Sequence, residues 1–217
     1  MRSSARGTSE PSFPTFGVVV GDPVVSNVSA ALPRVQGYPV QVFFATESPK
    51  TIELTSCEYP ASSQVISGGR QGVDDIVQRL TSQSAACPNQ TFSLVGYSQG
   101  ASIMHRAADK LPTSLFPKIK SVVMFGDPNL RLGRLGDEFP APLRAKVLQV
   151  CAKGDPVSIS CPPATSSHPC SDPKETNKPM KVCDSGSCQF YHLTYIRSDY
   201  VEGATEFIVR AFRGNYL

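Results

Sequence analysis

The chain has no tryptophan and only three histidines in 217 residues. Sugar-binding surfaces often rely on exposed aromatic platforms, so the missing tryptophan counts against a carbohydrate-binding module. With so few histidines, any histidine-dependent chemistry has only His105, His168 and His192 to draw on. There is no run of five lysines or arginines, and the net charge is only +3, which weighs against a nucleic-acid partner. No apolar stretch approaches the roughly 18 residues that cross a bilayer, so no integral membrane segment is expected. No heptad or internal repeat appears, which excludes a coiled coil or a solenoid. The opening "MRSSARGTSEP" has no apolar core of the kind a signal peptide needs.

What remains is ordinary globular material. The chain is 40% hydrophobic and 18% charged, and its length suits one α/β domain, residues 1–217, around a single core. The exception is cysteine. Seven of them suit an exported, disulfide-bonded protein better than a cytosolic one. The cysteines therefore suggest export while the first residues say nothing of it. Asn27-Val28-Ser29 and Asn89-Gln90-Thr91 match the glycosylation triplet, a common chance match. A zinc site is not expected. Cys183 and Cys188 are separated by four residues, the remaining cysteines form no second matching pair, and His168 lies near Cys170 in a proline-rich stretch.

Hydrophobic periodicity gives alternating elements. Val24, Val28 and Leu32 are spaced four apart and predict a helix over 23–32. "YPVQVFF" alternates and predicts the start of a strand. "GVDDIVQRLTSQSAACPN" puts Val73, Ile76, Val77 and Leu80 on one helical face, ended by Pro88. Phe92, Leu94 and Val95 read as a buried strand ending at Gly96, followed by a helix over 101–111. "IKSVVMFGD" and "AKVLQVC" are two further strands. "VEGATEFIVRAF" closes the chain as a helix with Ala204, Ile208 and Ala211 on one face. Residues 157–188, rich in Pro, Ser and Cys, read as a long loop. Strands alternating with helices imply a mainly parallel sheet covered on both sides.

The chemistry centres on "TFSLVGYSQGASIMH" (91–105). Ser98 stands between Gly96 and Gly100, where the strand pattern gives way to a helix. Small residues two positions either side let the backbone turn sharply. The hydroxyl is then exposed, with the helix N-terminus behind it. The bland alternative is a tight turn with no chemistry. A nucleophilic serine needs a base, and the base needs an orienting carboxylate. His105 lies two turns along the same helix and cannot reach back, so it reads as a surface or packing residue. His192 follows all the strands and precedes the closing helix, where the base falls in a Ser…Asp…His order. Two acids compete, Asp155 in "CAKGDPV" and Asp127 in "FGDPN". An Asp before Pro is also a plain turn former.

Together these residues resemble the cutinase family, small secreted serine esterases that include acetylxylan esterases. The likeness covers most of the chain: "ARGTSEP" resembles the oxyanion loop, "GYSQGA" the nucleophile elbow, "CAKGDPV" the acid loop and "YHLTYI" the histidine loop. The resemblance implies a three-layer α/β-hydrolase-like sandwich without a large lid. It implies Ser98 as nucleophile, His192 as base and Asp155 as acid. The oxyanion hole would come from the Gln99 backbone N–H and from Thr8 through its backbone and side chain. No metal or organic cofactor is expected. The expected partner is an ester, a cutin polyester first and an acylated polysaccharide second, met by a monomeric extracellular enzyme.

Three departures stand out. The family's first strand and its cysteine precede "ARGTSEP", but only Met1 to Ser4 do so here. A gap beside the nucleophile strand is therefore expected, along with an unpartnered Cys87. Residues 42–58 and 157–181 read as inserts whose removal restores family-like text. Each begins with Val and ends in Glu or Lys, as translated unspliced introns would; genuine loops are the alternative. Without the inserts four cysteines remain, and Cys151 and Cys183 become candidates for a disulfide beside Asp155, worth about 2–3 kcal/mol. These departures keep open a second class of reading, a degenerate, non-catalytic homologue.

Overall fold

The protein is described as a computed structural model covering residues 2–5, 16–38, 43–46, 65–129, 139–152, 155 and 192–214. Its centre is a six-stranded sheet in the order β3-β2-β1-β4-β5-β6. The strands are β1 (Arg2–Ala5), β2 (Val35–Tyr38), β3 (Phe43–Thr46), β4 (Phe92–Tyr97), β5 (Ile119–Phe125) and β6 (Val147–Val150). All neighbours are parallel except the edge pair β2–β3. The helices among the described residues are α1 (Gly21–Ala31), α2 (Val65–Ala86), α3 (Gln99–Lys110), the short α4 (Ala141–Arg144) and the closing α5 (Ser198–Arg213).

The two-residue period of the central strands decides what each face buries. Phe92 and Leu94 of β4, with Val122 and Met124 of β5, join Val73, Ile76, Leu80, Ile103 and Met104 of α2 and α3 in one cluster. Val95 and Tyr97, with Val123 and Phe125, point the other way into Val24 and Val28 of α1 and Val201, Ala204 and Ile208 of α5. Both faces of β4 and β5 are buried, so these strands read as near-continuous apolar runs, and the molecule is a three-layer α/β sandwich.

The elements differ from expectation in four places. α2 begins at Val65, before the apolar period that marks it in the sequence. α3 starts directly at Gln99 because a single residue, Ser98, makes the whole turn. The strand expected from Tyr38 onward is two short strands, one ending at Tyr38 and one starting at Phe43. The place beside β4 that the sequence leaves empty is occupied. Arg2–Ala5 lies parallel between β2 and β4, in register Arg2↔Ser93 to Ala5↔Gly96, so the edge of the strand that leads to Ser98 is paired. The first insert supplies β3 through Phe43–Thr46; residues 47–58 and the whole of 157–181 lie outside the described residues.

Candidate active site

β4 ends at Tyr97 and α3 begins at Gln99. Ser98 between them has φ 55° and ψ −119°, the only non-glycine with positive φ among the described residues. Such a conformation costs about 1–3 kcal/mol and persists only where its surroundings enforce it. They do so here on both sides. The Ser98 N–H donates to Phe125 O on β5 at 3.0 Å, and its carbonyl accepts from Ala101 N at 2.9 Å in the first turn of α3. The turn also brings α3 against β4. A Cβ on Gly96 would lie 2.8 Å from Ala101 Cα and 3.0 Å from Gly100 O, so this position admits only glycine. That is the physical content of the Gly-x-Ser-x-Gly spacing. Gln99 opens the helix, in the turn whose N–H groups the helix itself does not use.

His192 precedes a 3₁₀ turn (Thr194–Ile196) that leads into α5, and Asp155 follows β6. The two meet. His192 Nδ1 lies 3.0 Å from Asp155 Oδ1 and 2.9 Å from Oδ2. Asp155 is fully buried, and a buried carboxylate survives only where donors satisfy it. One is the imidazole. Another is the Tyr195 hydroxyl, which donates to Oδ2 at 2.6 Å. The loop closes on itself through Asp155 N donating to Ala152 O at 3.0 Å.

Tyr97, the residue before Ser98, fixes the histidine from the sheet side. Its ring stacks on the imidazole at 5.0 Å and 26°, and its hydroxyl donates to the His192 carbonyl at 2.8 Å. The opposite boundary is Gly126, with φ 54°. A Cβ there would stand 2.7 Å from His192 Cε1, 2.9 Å from Tyr195 Cε2 and 3.0 Å from Asp155 Oδ2. His192 Nε2 is buried and makes no hydrogen bond among the described residues, so the nitrogen facing away from Asp155 is available for a proton.

The rival acid is committed elsewhere. Asp127 Oδ2 lies 2.6 Å from His105 Nε2 and accepts from Gln149 Nε2 at 3.0 Å, while Oδ1 accepts from Asn129 N at 3.0 Å. His105 is not a surface residue: it is buried and packs on Phe139 at 4.3 Å. This second His–Asp pair ties α3 to the ends of β5 and β6. Thr8, His168 and Cys183 lie outside the described residues, Cys151 is buried, and Cys87 is a free thiol. Sequence reasoning missed Tyr97, Tyr195 and Gly126. Their only signals are position: next to the serine, three residues after the histidine, and at the end of β5.

A three-layer sandwich with a strained serine between strand and helix, and a His–Asp pair on the loops beyond, defines an α/β-hydrolase-like protein. The chain belongs to the cutinase family, whose family model matches residues 4–212. Members of that family are carboxylic ester hydrolases. The chain is 35% identical over 152 residues to cutinase cut1 of Trichoderma harzianum, covering 70% of this chain and 52% of that protein. It thus spans about half the length of that relative and of the Hypocrea jecorina cutinases it also matches. Among solved structures, a cutinase-like protein from Cryptococcus sp. superposes with a TM-score of 0.62 at 25% identity, covering 96% of this chain and 92% of that one. An acetyl xylan esterase superposes with a TM-score of 0.61 at 21% identity, over 95% and 94%, a likeness of fold alone.

Proposed function

We propose that this chain is a secreted carboxylic ester hydrolase that cleaves a cutin-type polyester or short-chain acyl esters through an acyl-enzyme on Ser98. The observation that carries the reading is the 2.9 Å pair of Asp155 and His192, held against Tyr97 at the end of the strand that presents Ser98. In this reading His192 Nε2 takes the Ser98 proton as Oγ attacks the ester carbonyl. Asp155 stays ionised, keeps the Nδ1–H tautomer and stabilises the imidazolium. The oxyanion accepts hydrogen bonds from the Gln99 N–H and from Thr8, whose role rests on the match of "ARGTSEP"; one such donor is worth about 10²–10³ in rate. His192 then returns the proton to the departing alcohol, and water activated the same way releases the acid.

We assign no cofactor, a monomeric state and a disulfide from Cys151 to Cys183. Cys151 being engaged rather than a free thiol supports a disulfide at that cysteine; Cys183 as its partner rests on the sequence, where removing 157–181 sets the two close together. No helix among the described residues is long and apolar enough to cross a membrane.

The test is p-nitrophenyl butyrate hydrolysis by this chain beside Ser98→Ala. Activity that disappears in the variant supports the reading. Soluble, folded protein that is inactive in both forms overturns it in favour of a degenerate homologue. Comparing a cutin suspension with acetylated xylan then separates the substrate classes.

A further inference from the structure

The Tyr195 hydroxyl joins the two loops that carry the acid and the base. Its oxygen accepts from the Ala152 N–H at 3.0 Å, and an N–H can only donate. The single phenolic proton is therefore directed at Asp155 Oδ2, 2.6 Å away. The side chain cannot swing aside. Tyr195 is fully buried, with its ring edge-on to Tyr97, Phe125, His192 and Tyr200 at 5.4–6.1 Å. The same Oδ2 faces His192 Nδ1 at 2.9 Å, so one carboxylate oxygen is shared between a phenol and the imidazole.

We propose that Tyr195 is a positioning residue for the Asp155–His192 pair, fixing the carboxylate and setting how firmly it holds a charged imidazole. The inference rests on the triad reading above. A donor on Oδ2 draws charge away from the His192 side, because hydrogen bonds to one acceptor compete. Among the described residues, the titratable groups packed around the pair are the phenols of Tyr97 at the end of β4, of Tyr195 itself, and of Tyr200 in α5. Phenols ordinarily titrate near 10, so they carry no charge over the acid limb of an esterase profile.

The sign follows. Tyr195→Phe keeps the ring and removes the donor. Asp155 then acts more strongly on His192, the imidazolium persists to higher pH, and the acid limb of kcat/KM moves up by about half a pH unit or more. Without that donor the carboxylate orients the imidazole less well, so kcat falls about tenfold while KM stays within about twofold, since the buried phenol does not touch substrate. Replacing Tyr195 with 3-fluorotyrosine makes a stronger donor of nearly the same size and moves the limb the other way.

The experiment measures pH profiles of p-nitrophenyl butyrate hydrolysis for the parent chain and both variants. It also records the far-downfield proton resonance of the His192 Nδ1–H, which needs no turnover. Opposite displacements in the two variants, in limb and in resonance, are expected. Profiles and resonances that superimpose on the parent, or that move in one direction for both variants, overturn the proposal and leave Tyr195 a packing residue. If Tyr195→Phe does not fold, the fluorinated protein decides alone. If the parent hydrolyses nothing, the esterase reading fails, and the resonance still decides whether Tyr195 sets the Asp155–His192 bond.

Discussion

A methyl group on Gly126 would stand 2.7 Å from Cε1 of His192. The end of β5 thus leaves room for the imidazole only because residue 126 has no side chain, and its φ of 54° also favours glycine. Gly126→Ala is expected to cost about 1–3 kcal/mol of stability from backbone strain. It should cost far more in rate, about 10²-fold or more in kcat/KM, because a displacement near 1 Å is enough to misalign a base. Urea unfolding and esterase kinetics on the same protein check this. A variant that is weakened in stability but fully active would mean that His192 need not sit where it does.

The two Gly-Asp-Pro sequences make a matched pair. Asp155→Asn removes the carboxylate from His192 and is expected to lower kcat by about 10⁴ with little effect on KM. Asp127→Ala strips partners from His105, Gln149 and the Asn129 N–H, all inside the fold. It is expected to destabilise by about 3–5 kcal/mol while the remaining folded molecules keep near-normal turnover. Active-site titration with a fluorophosphonate gives turnover per competent site. The reverse pattern would make Asp127 the working acid.

Those two acids mark the limit of what the sequence carries. "FGDPN" and "KGDPV" are nearly the same text, each after a strand, and nothing local distinguishes them. The difference is which histidine lies opposite, and that depends on where α3 and the 3₁₀ turn pack against the sheet. By contrast, the period of two in β4 and β5, the helical faces of α2 and α5, and the Gly96-x-Ser98-x-Gly100 turn are local properties, legible from spacing. The early start of α2 is not, because its first turns contain Gly68, Gly69 and Gly72 and lack an apolar stripe. Packing supplies a reason for one of these glycines: a Cβ on Gly72 would meet Ile103 Cδ1 at 2.9 Å, so glycine there lets α2 approach α3. Likewise Arg2–Ala5 reads as too short and polar for a central strand, yet β2 and β4 offer it hydrogen bonds on both edges.

Lys146 gives a pH signature away from the site. Its ammonium donates to the carbonyls of Phe116 and Ile119, each at 2.8 Å. Partial burial, and then the charge of Lys120, lowers its pKa below the ordinary lysine value. Between the folded and unfolded values the unfolded chain binds more protons, so this group makes stability rise with pH through the alkaline window ending near 10.5. Below that window the cost of the buried charge is fully present. Lys146→Met should flatten that rise relative to the parent. At neutral pH the variant also leaves two carbonyls without this donor, each worth about 1–3 kcal/mol if unsatisfied. Unfolding free energies at several pH values test it, and parallel curves for the two proteins would rule it out.

The inserts can be tested directly. Residues 42–58 contribute β3 to the described fold, an antiparallel edge strand on β2. Removing 157–181 shortens the connection from Asp155 to His192 about threefold, which lowers the entropy cost of bringing them together by about 1 kcal/mol. It also brings Cys183 close in sequence to Cys151. A chain lacking both segments is therefore expected to fold, to be at least as stable as the full chain, and to hydrolyse p-nitrophenyl butyrate with equal or higher kcat/KM. A shortened chain that aggregates or loses activity would make the inserts working loops of this protein. Transcripts that retain both segments would point the same way, while transcripts lacking them would identify the shortened chain as the natural one.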